Sequence, residues 1–189
     1  PGCLDLSKED RIALGDQFVD VGIAEEQSIA MAGGAAKAGA KALVFTSVTF
    51  MQRAYDQISH DICINSLPIT ILLTSASFAS MRDVTHLGIF GIAEFSNIPN
   101  LVIISPSSKE ELLSALDWSL EQREHPVMIL MPGNEVNSRE QILGIDEIDK
   151  FELTQKGEKL AIIGLGGFYQ KSEGLAKAVE EKYGFRPTL

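Results

Sequence analysis

Glu25 stands at the mouth of a stretch built mainly from small residues, 28–40, and follows the run Asp20-Val21-Gly22-Ile23-Ala24. Small side chains let neighbouring backbones approach and leave little room for water. A carboxylate there is either a helix-start acid facing solvent, favoured by the helix dipole, or a buried acid kept for proton chemistry. A second group lies in Phe50-Met51-Gln52-Arg53-Ala54-Tyr55-Asp56-Gln57. It opens a helix at the carboxyl end of a predicted strand, the edge where open α/β sheets gather ligands. Phe50 there is ligand-facing or a core aromatic, and Arg53 serves a ligand or pairs locally with Asp56. His86 is the third candidate, because it sits in the long loop 75–100, and loops of that length are usually functional or disordered.

The other polar motifs have plainer readings. A structural hydrogen bond accounts for His60 in Ser59-His60-Asp61, and His125 before Pro126 reads as a surface residue. No histidine stands at metal-ligand spacing with another His or Cys. No Gly-x-Ser-x-Gly elbow supports a hydrolase triad. Gly164-Leu165-Gly166-Gly167 follows a strand and precedes a helix. The dinucleotide fingerprint needs glycine where Tyr169 stands, so this is read as a tight turn.

These groups need elements to hold them. Residues 42–48, 69–73, 101–105 and 127–131 are short, apolar and rich in β-formers, and predict buried strands. Met51, Tyr55, Ile58 and Ile62 recur at helical spacing and predict a helix over 49–65. Pro106-Ser107-Ser108-Lys109-Glu110-Glu111 predicts a capping-box helix start, with Leu112, Leu116 and Leu120 on the inner face. Strands apolar throughout and alternating with helices imply an α/β fold, a parallel sheet covered on both faces with right-handed crossovers.

Residues 135–158 are charged and aperiodic and read as a connection. Beyond it, 159–163 predicts a strand, 171–183 an amphipathic helix and 185–189 the start of a next strand. The expected organisation is a domain over 1–136, a linker over 137–156, and the first β-α unit of a truncated second domain over 157–189. One such unit cannot bury both faces alone, so the main domain or a partner must support it.

Composition narrows the function classes. The 189 residues are 45% hydrophobic and 22% charged, as in globular proteins, with a formal charge of −10. That charge argues against a nucleic-acid or anionic-membrane surface. Cys3 and Cys63 form no CxxC pair, which makes a reduced, cytoplasmic setting the expectation. No apolar run approaches the roughly 20 residues that span a bilayer, and no signal peptide is evident. The start at Pro1-Gly2 suggests an interior piece of something longer.

Taken in order, several of these words resemble one family. They are Asp20-Val21-Gly22-Ile23-Ala24-Glu25, the run from Thr49 to Gln57, His60-Asp61, Leu67-Pro68, Thr85-His86, Ile98-Pro99 and Ser105-Pro106-Ser107. Together they resemble the pyrimidine-binding domain of thiamine-diphosphate enzymes of the transketolase group, with 1-deoxy-D-xylulose-5-phosphate synthases as nearest relatives. The resemblance covers most of 18–132, and 157–166 is similar to the start of that family's carboxyl-terminal domain.

The resemblance implies a three-layer parallel-sheet fold and a role for each candidate. Glu25 hydrogen-bonds N1′ of the cofactor's aminopyrimidine and exchanges a proton there. The imino nitrogen so formed takes the thiazolium C2 proton, and the ylide attacks a ketose or 2-oxo acid. Phe50 stacks on the pyrimidine, Ser47 to Arg53 form the pocket wall around it, and His86 faces the substrate. A two-carbon unit passes between small sugars or keto acids.

The resemblance also implies partners. The family's diphosphate and Mg²⁺ sites lie on a separate domain marked by Gly-Asp-Gly and a downstream Asn, a motif missing from this sequence. The Mg²⁺ ligands are therefore expected on a partner domain or subunit, with a homodimer as the assembly and little activity for this chain alone. Some words depart from the family. Thr74-Ser75-Ala76-Ser77 replaces an Asp-Arg-Ala-Gly turn, and Leu130-Met131-Pro132-Gly133-Asn134 replaces Arg-Tyr-Pro-Arg-Gly with both arginines gone. These departures motivate an alternative, a degenerate, non-catalytic domain acting as an assembly subunit. A 2-oxo acid dehydrogenase subunit matches the motifs less well.

Overall fold

Four short apolar segments pair side by side as parallel strands: β1 (Ala42–Ser47), β2 (Ile69–Thr74), β3 (Val102–Ile104) and β4 (Val127–Leu130), in the order β1-β2-β4-β3. The computed structural model describes residues 6–76, 86–131, 136–139 and 150–189. Val44 pairs with Ile71, Leu72 with Ile129, and Ile103 with Met128. The strands stand within a residue or two of the segments predicted from apolar runs.

Side-chain alternation along these strands makes the three layers. Ile69, Ile71, Leu73, Met128 and Leu130 point to one face, into a core shared with Ile29, Met51, Ile58, Ile62 and Phe95. Leu72, Val127 and Ile129 point to the other, where they meet Ile104 and Ala115. Burying each such side chain contributes about 1.5–3 kcal/mol. Both faces of the sheet are thus apolar, which is why the strands read as continuous hydrophobic runs.

After a short exposed helix α1 (Lys8–Leu14), the first layer carries α2 (Glu25–Lys37) and the run after β1. That run, predicted as one helix over 49–65, is wound three ways: α3 (Val48–Met51), a 3₁₀ turn (Gln52–Ala54) and a π turn (Gln57–Cys63). Apolar residues every three or four positions suit all three windings, so spacing does not separate them. Met51, Ile58 and Ile62 are fully buried, while Tyr55 turns out and donates its hydroxyl to Asn97 Oδ1 at 2.6 Å. Gly33 lets α2 approach this run, since a Cβ there would lie 2.6 Å from Ile62 Cδ1.

The loop expected over 75–100 is partly helical where it is described. A short helix, α4 (Gly91–Phe95), follows a 3₁₀ turn at Gly88–Phe90. Glycine permits it: a Cβ on Gly88 would fall 1.9 Å from the Ser75 carbonyl oxygen, and one on Gly91 2.4 Å from Val48 Cγ2. The segment is therefore seated directly on Val48, beside the helical run after β1.

On the other face lies α5 (Lys109–Glu121). Ser108 caps it by accepting the Glu111 N–H at 3.1 Å. Glu111 reaches back to the N–H and hydroxyl of Ser107, one residue earlier than a standard capping box. Its most buried line is Ala115 and Ser119, flanked by Leu112 and Leu116, with Leu120 only half-buried. The Thr70 hydroxyl donates to Ser119 Oγ at 3.0 Å, so the buried polar pair is satisfied.

The carboxyl-terminal segment departs further from expectation. Instead of a strand over 159–163, a single parallel bridge joins Ala161 to Thr188. Between them α6 (Tyr169–Tyr183) ends at Gly184, whose φ of 70° closes the helix in the left-handed region. Arg139 ties this unit to α5. Its guanidinium donates to Glu111 Oε1 at 2.7 Å, to both oxygens of Glu152 at 3.1 and 3.2 Å, and to Ser107 Oγ at 3.1 Å. It also lies over the Tyr169 ring at 4.5 Å. The Arg139 backbone N–H donates to Glu110 and holds that carboxyl below its ordinary value. Among the described residues, no helix is long and apolar enough to cross a membrane.

Candidate functional site

The turn before α2 delivers Glu25. Asp20 Oδ1 accepts the Gly22 N–H at 2.9 Å, and Gly22 takes a φ of 70°, a conformation glycine adopts without strain. The helix then starts at Glu25, with Ala24 as a cap that offers no side-chain bond. Glu25 is buried, its side chain only 11% exposed. The acid is therefore buried and does not face solvent.

A buried carboxylate needs a partner. Arg53 supplies one: its Nη1 donates to Glu25 Oε2 at 3.1 Å, and its side chain is 54% exposed. The local pairing of Arg53 with Asp56 is not formed. Asp56 instead meets His60 Nδ1 at 2.7 Å, the structural bond expected of that histidine. With one partner half in water, the Glu25–Arg53 pair stabilises by about 1 kcal/mol. Its value lies in placement more than in stability.

Phe50 lies one turn before Arg53 on the same run, and its ring meets His86 edge to face, centroids 5.1 Å apart at 83°. His86, drawn from the loop, is half-buried. Ser47 ends β1 and is buried. Four of the five candidates thus form two touching pairs, Glu25–Arg53 and Phe50–His86, joined through the run that follows Ser47. All but Glu25 and His86 come from the carboxyl edge of β1, where α/β sheets build their sites. Ser77, Thr85 and residues 132–134 lie outside the described residues.

Thr49 belongs to the 47–53 stretch expected as pocket wall, but nothing in the sequence singled out its hydroxyl. Its Oγ1 is buried and finds no hydrogen-bond partner among the described residues. An orphaned hydroxyl costs about 1–3 kcal/mol. His125 is half-buried, its ring 43% exposed beside Glu124, close to its surface assignment. Gly166, with φ of 54°, packs so close to Ser105 that a Cβ would sit 2.1 Å from its hydroxyl, in keeping with a tight turn. Among the described residues no group of three or more His, Cys, Asp or Glu side chains could hold a metal ion.

Comparison with known proteins gives the family. Residues 5–138 match the family described as the transketolase pyrimidine binding domain. The chain is 36% identical over 176 residues to a 1-deoxy-D-xylulose-5-phosphate synthase of Clostridium perfringens, covering 93% of this chain and 28% of that protein. It is 35% identical over 158 residues to the synthase of Clostridium acetobutylicum, covering 82% of this chain and 25% of that one. The chain therefore spans about a quarter of the length of these relatives.

Two solved structures share the fold. A split-gene transketolase, described as an inactive β4 tetramer, superposes with a TM-score of 0.74 at 24% identity, over 97% of this chain and 60% of that one. A transketolase mutant from Pichia stipitis gives 0.80 at 20% identity, over 94% of this chain and 27% of that one. With residues 5–138 of 189 matched, the chain belongs to the transketolase pyrimidine-binding domain family.

Proposed function

We propose that this chain supplies the pyrimidine-binding half of a thiamine-diphosphate site in a transketolase-like transferase. The observation that carries the reading is the buried Glu25 carboxylate, fastened through Oε2 while Oε1 accepts no hydrogen bond among the described residues. The residues fit an aminopyrimidine. One carboxylate oxygen is available to a ring N–H, and the Phe50 ring offers a stacking surface. Bound there, the cofactor would supply an electron sink for cleavage beside a carbonyl.

Glu25 holds and exchanges a proton at N1′. Phe50 fixes the ring plane, Ser47 to Arg53 close the wall, and His86, in T-shaped contact with the Phe50 ring, faces the substrate. Diphosphate and Mg²⁺ fall to a partner domain or subunit, and the substrates are small sugars or keto acids. A homodimer is the assembly this reading expects. The absence of both family arginines from 130–134 favours a second reading, a non-catalytic assembly subunit.

Mixing the chain with a diphosphate-binding partner and thiamine diphosphate should restore ketol transfer. Glu25→Ala should abolish it, and unchanged turnover would remove the catalytic assignment. An assembly subunit predicts no thiamine diphosphate binding by the mixture at all.

A further inference from the structure

Glu25 is placed by its helix, but its side chain has three rotatable bonds before the carboxylate. Helix placement alone leaves the acid free to turn. Among the described residues, the only hydrogen bond to that carboxylate comes from Arg53 Nη1, at 3.1 Å. Arg53 sits one turn beyond Phe50 on the run that packs against α2. One short segment therefore sets both the aromatic surface and the clamp on the acid.

We propose that Arg53 is a positioning residue for Glu25. It binds Oε2 and pins the carboxylate, so that Oε1 stays available to a ring N–H. This rests on the function proposed above and assigns Arg53 to the acid instead of to the cofactor. Pinning one oxygen fixes the rotamer before the ligand arrives, and such pre-organisation keeps ordering costs out of the binding step. A guanidinium suits the task because its planar fork holds direction, whereas a lysine ammonium is a point charge on a flexible stem. The outer half of Arg53 remains in solvent, so removing it opens no core cavity.

Two measurements test the assignment. In the chain alone, urea unfolding of wild type, Glu25→Gln, Arg53→Met and the double variant reads the pair without any cofactor. Arg53→Met should lower the midpoint in the wild-type background and hardly at all beside Glu25→Gln. Equal losses in both backgrounds would overturn the pairing.

Calorimetry on the chain mixed with its diphosphate-binding partner then reads the role. Arg53→Met should weaken thiamine diphosphate binding about tenfold, as loss of an orienting partner commonly does. Arg53→Lys should recover part of it, and Arg53→Met should add less than about twofold beside Glu25→Gln. Multiplying effects would mean that Arg53 touches the ligand itself, and wild-type affinity in Arg53→Met would mean a purely structural pair. Either overturns the assignment. If the unfolding cycle shows coupling while wild type binds no thiamine diphosphate, the functional reading fails and the role fails with it, leaving only the ion pair.

Discussion

Glu25 and Arg53 are 28 residues apart in sequence, yet their side chains meet. The position of Glu25 was legible because an acid entering a run of Ala and Gly has little but backbone around it. Its partner was not. Local rules pair charges three or four residues apart on a helix, which pointed Arg53 to Asp56, whereas Asp56 goes to His60 and frees the arginine for a longer reach. Phe50 and His86 were each legible as candidates, but their ring contact depends on where a loop returns, which no local pattern records. Cys63 shows the converse, a residue whose neighbourhood decides its chemistry. It is 3% exposed, and burial pushes its thiol up to about 11. The reactive thiolate is therefore scarce at neutral pH. With Cys3 replaced by serine, a disulfide-exchange reagent at pH 8 should label Cys63 only after unfolding in guanidinium. Rapid labelling of the native chain would contradict this.

The strands and α5 were legible because burial on both faces writes an unbroken apolar run, and capping writes Ser and Glu three apart. The strand expected over 159–163 shrinks to one bridge: among the described residues its interstrand backbone bonds go to Thr188, while Arg186 and Leu189 bond residues 154–158. Ile163 and Leu165 consequently remain 74% and 57% exposed. Arg139, which carried no motif, helps fasten this unit, beside an Asn137 Nδ2 bond to Gln170 Oε1 at 2.9 Å and the packing of Gly166 on Ser105. The Arg139 site combines α5, residue 152 and the start of α6, segments far apart in sequence. Arg139→Ala should cost up to about 3 kcal/mol, the low end for a buried pair, since the side chain keeps 22% exposure. Hydrogen exchange should then speed up over 150–189 while β1, β2 and β4 keep their protection. Uniform acceleration, or none, would contradict a latch confined to this unit.

At the scale of the molecule, a parallel sheet of order β1-β2-β4-β3 carries the candidate residues Ser47, Phe50 and Arg53 at and beyond its carboxyl edge, in a chain about a quarter the length of the synthases it matches. The fold class could be read from strand and helix alternation, and the family from several short words in order. The seating of the second unit could not, because it depends on side chains that meet only after folding. The account as a whole depends on Glu25 meeting one atom of a ligand, the pyrimidine N1′. Calorimetric titration of the partner-reconstituted chain with thiamine diphosphate, and with an analogue carrying carbon at N1′, isolates that contact. Wild type should bind the analogue at least about tenfold more weakly than the cofactor, as expected when a hydrogen bond to a charged group is lost, and Glu25→Ala should bind the two alike. Equal affinity of the wild-type assembly for both compounds would contradict the account.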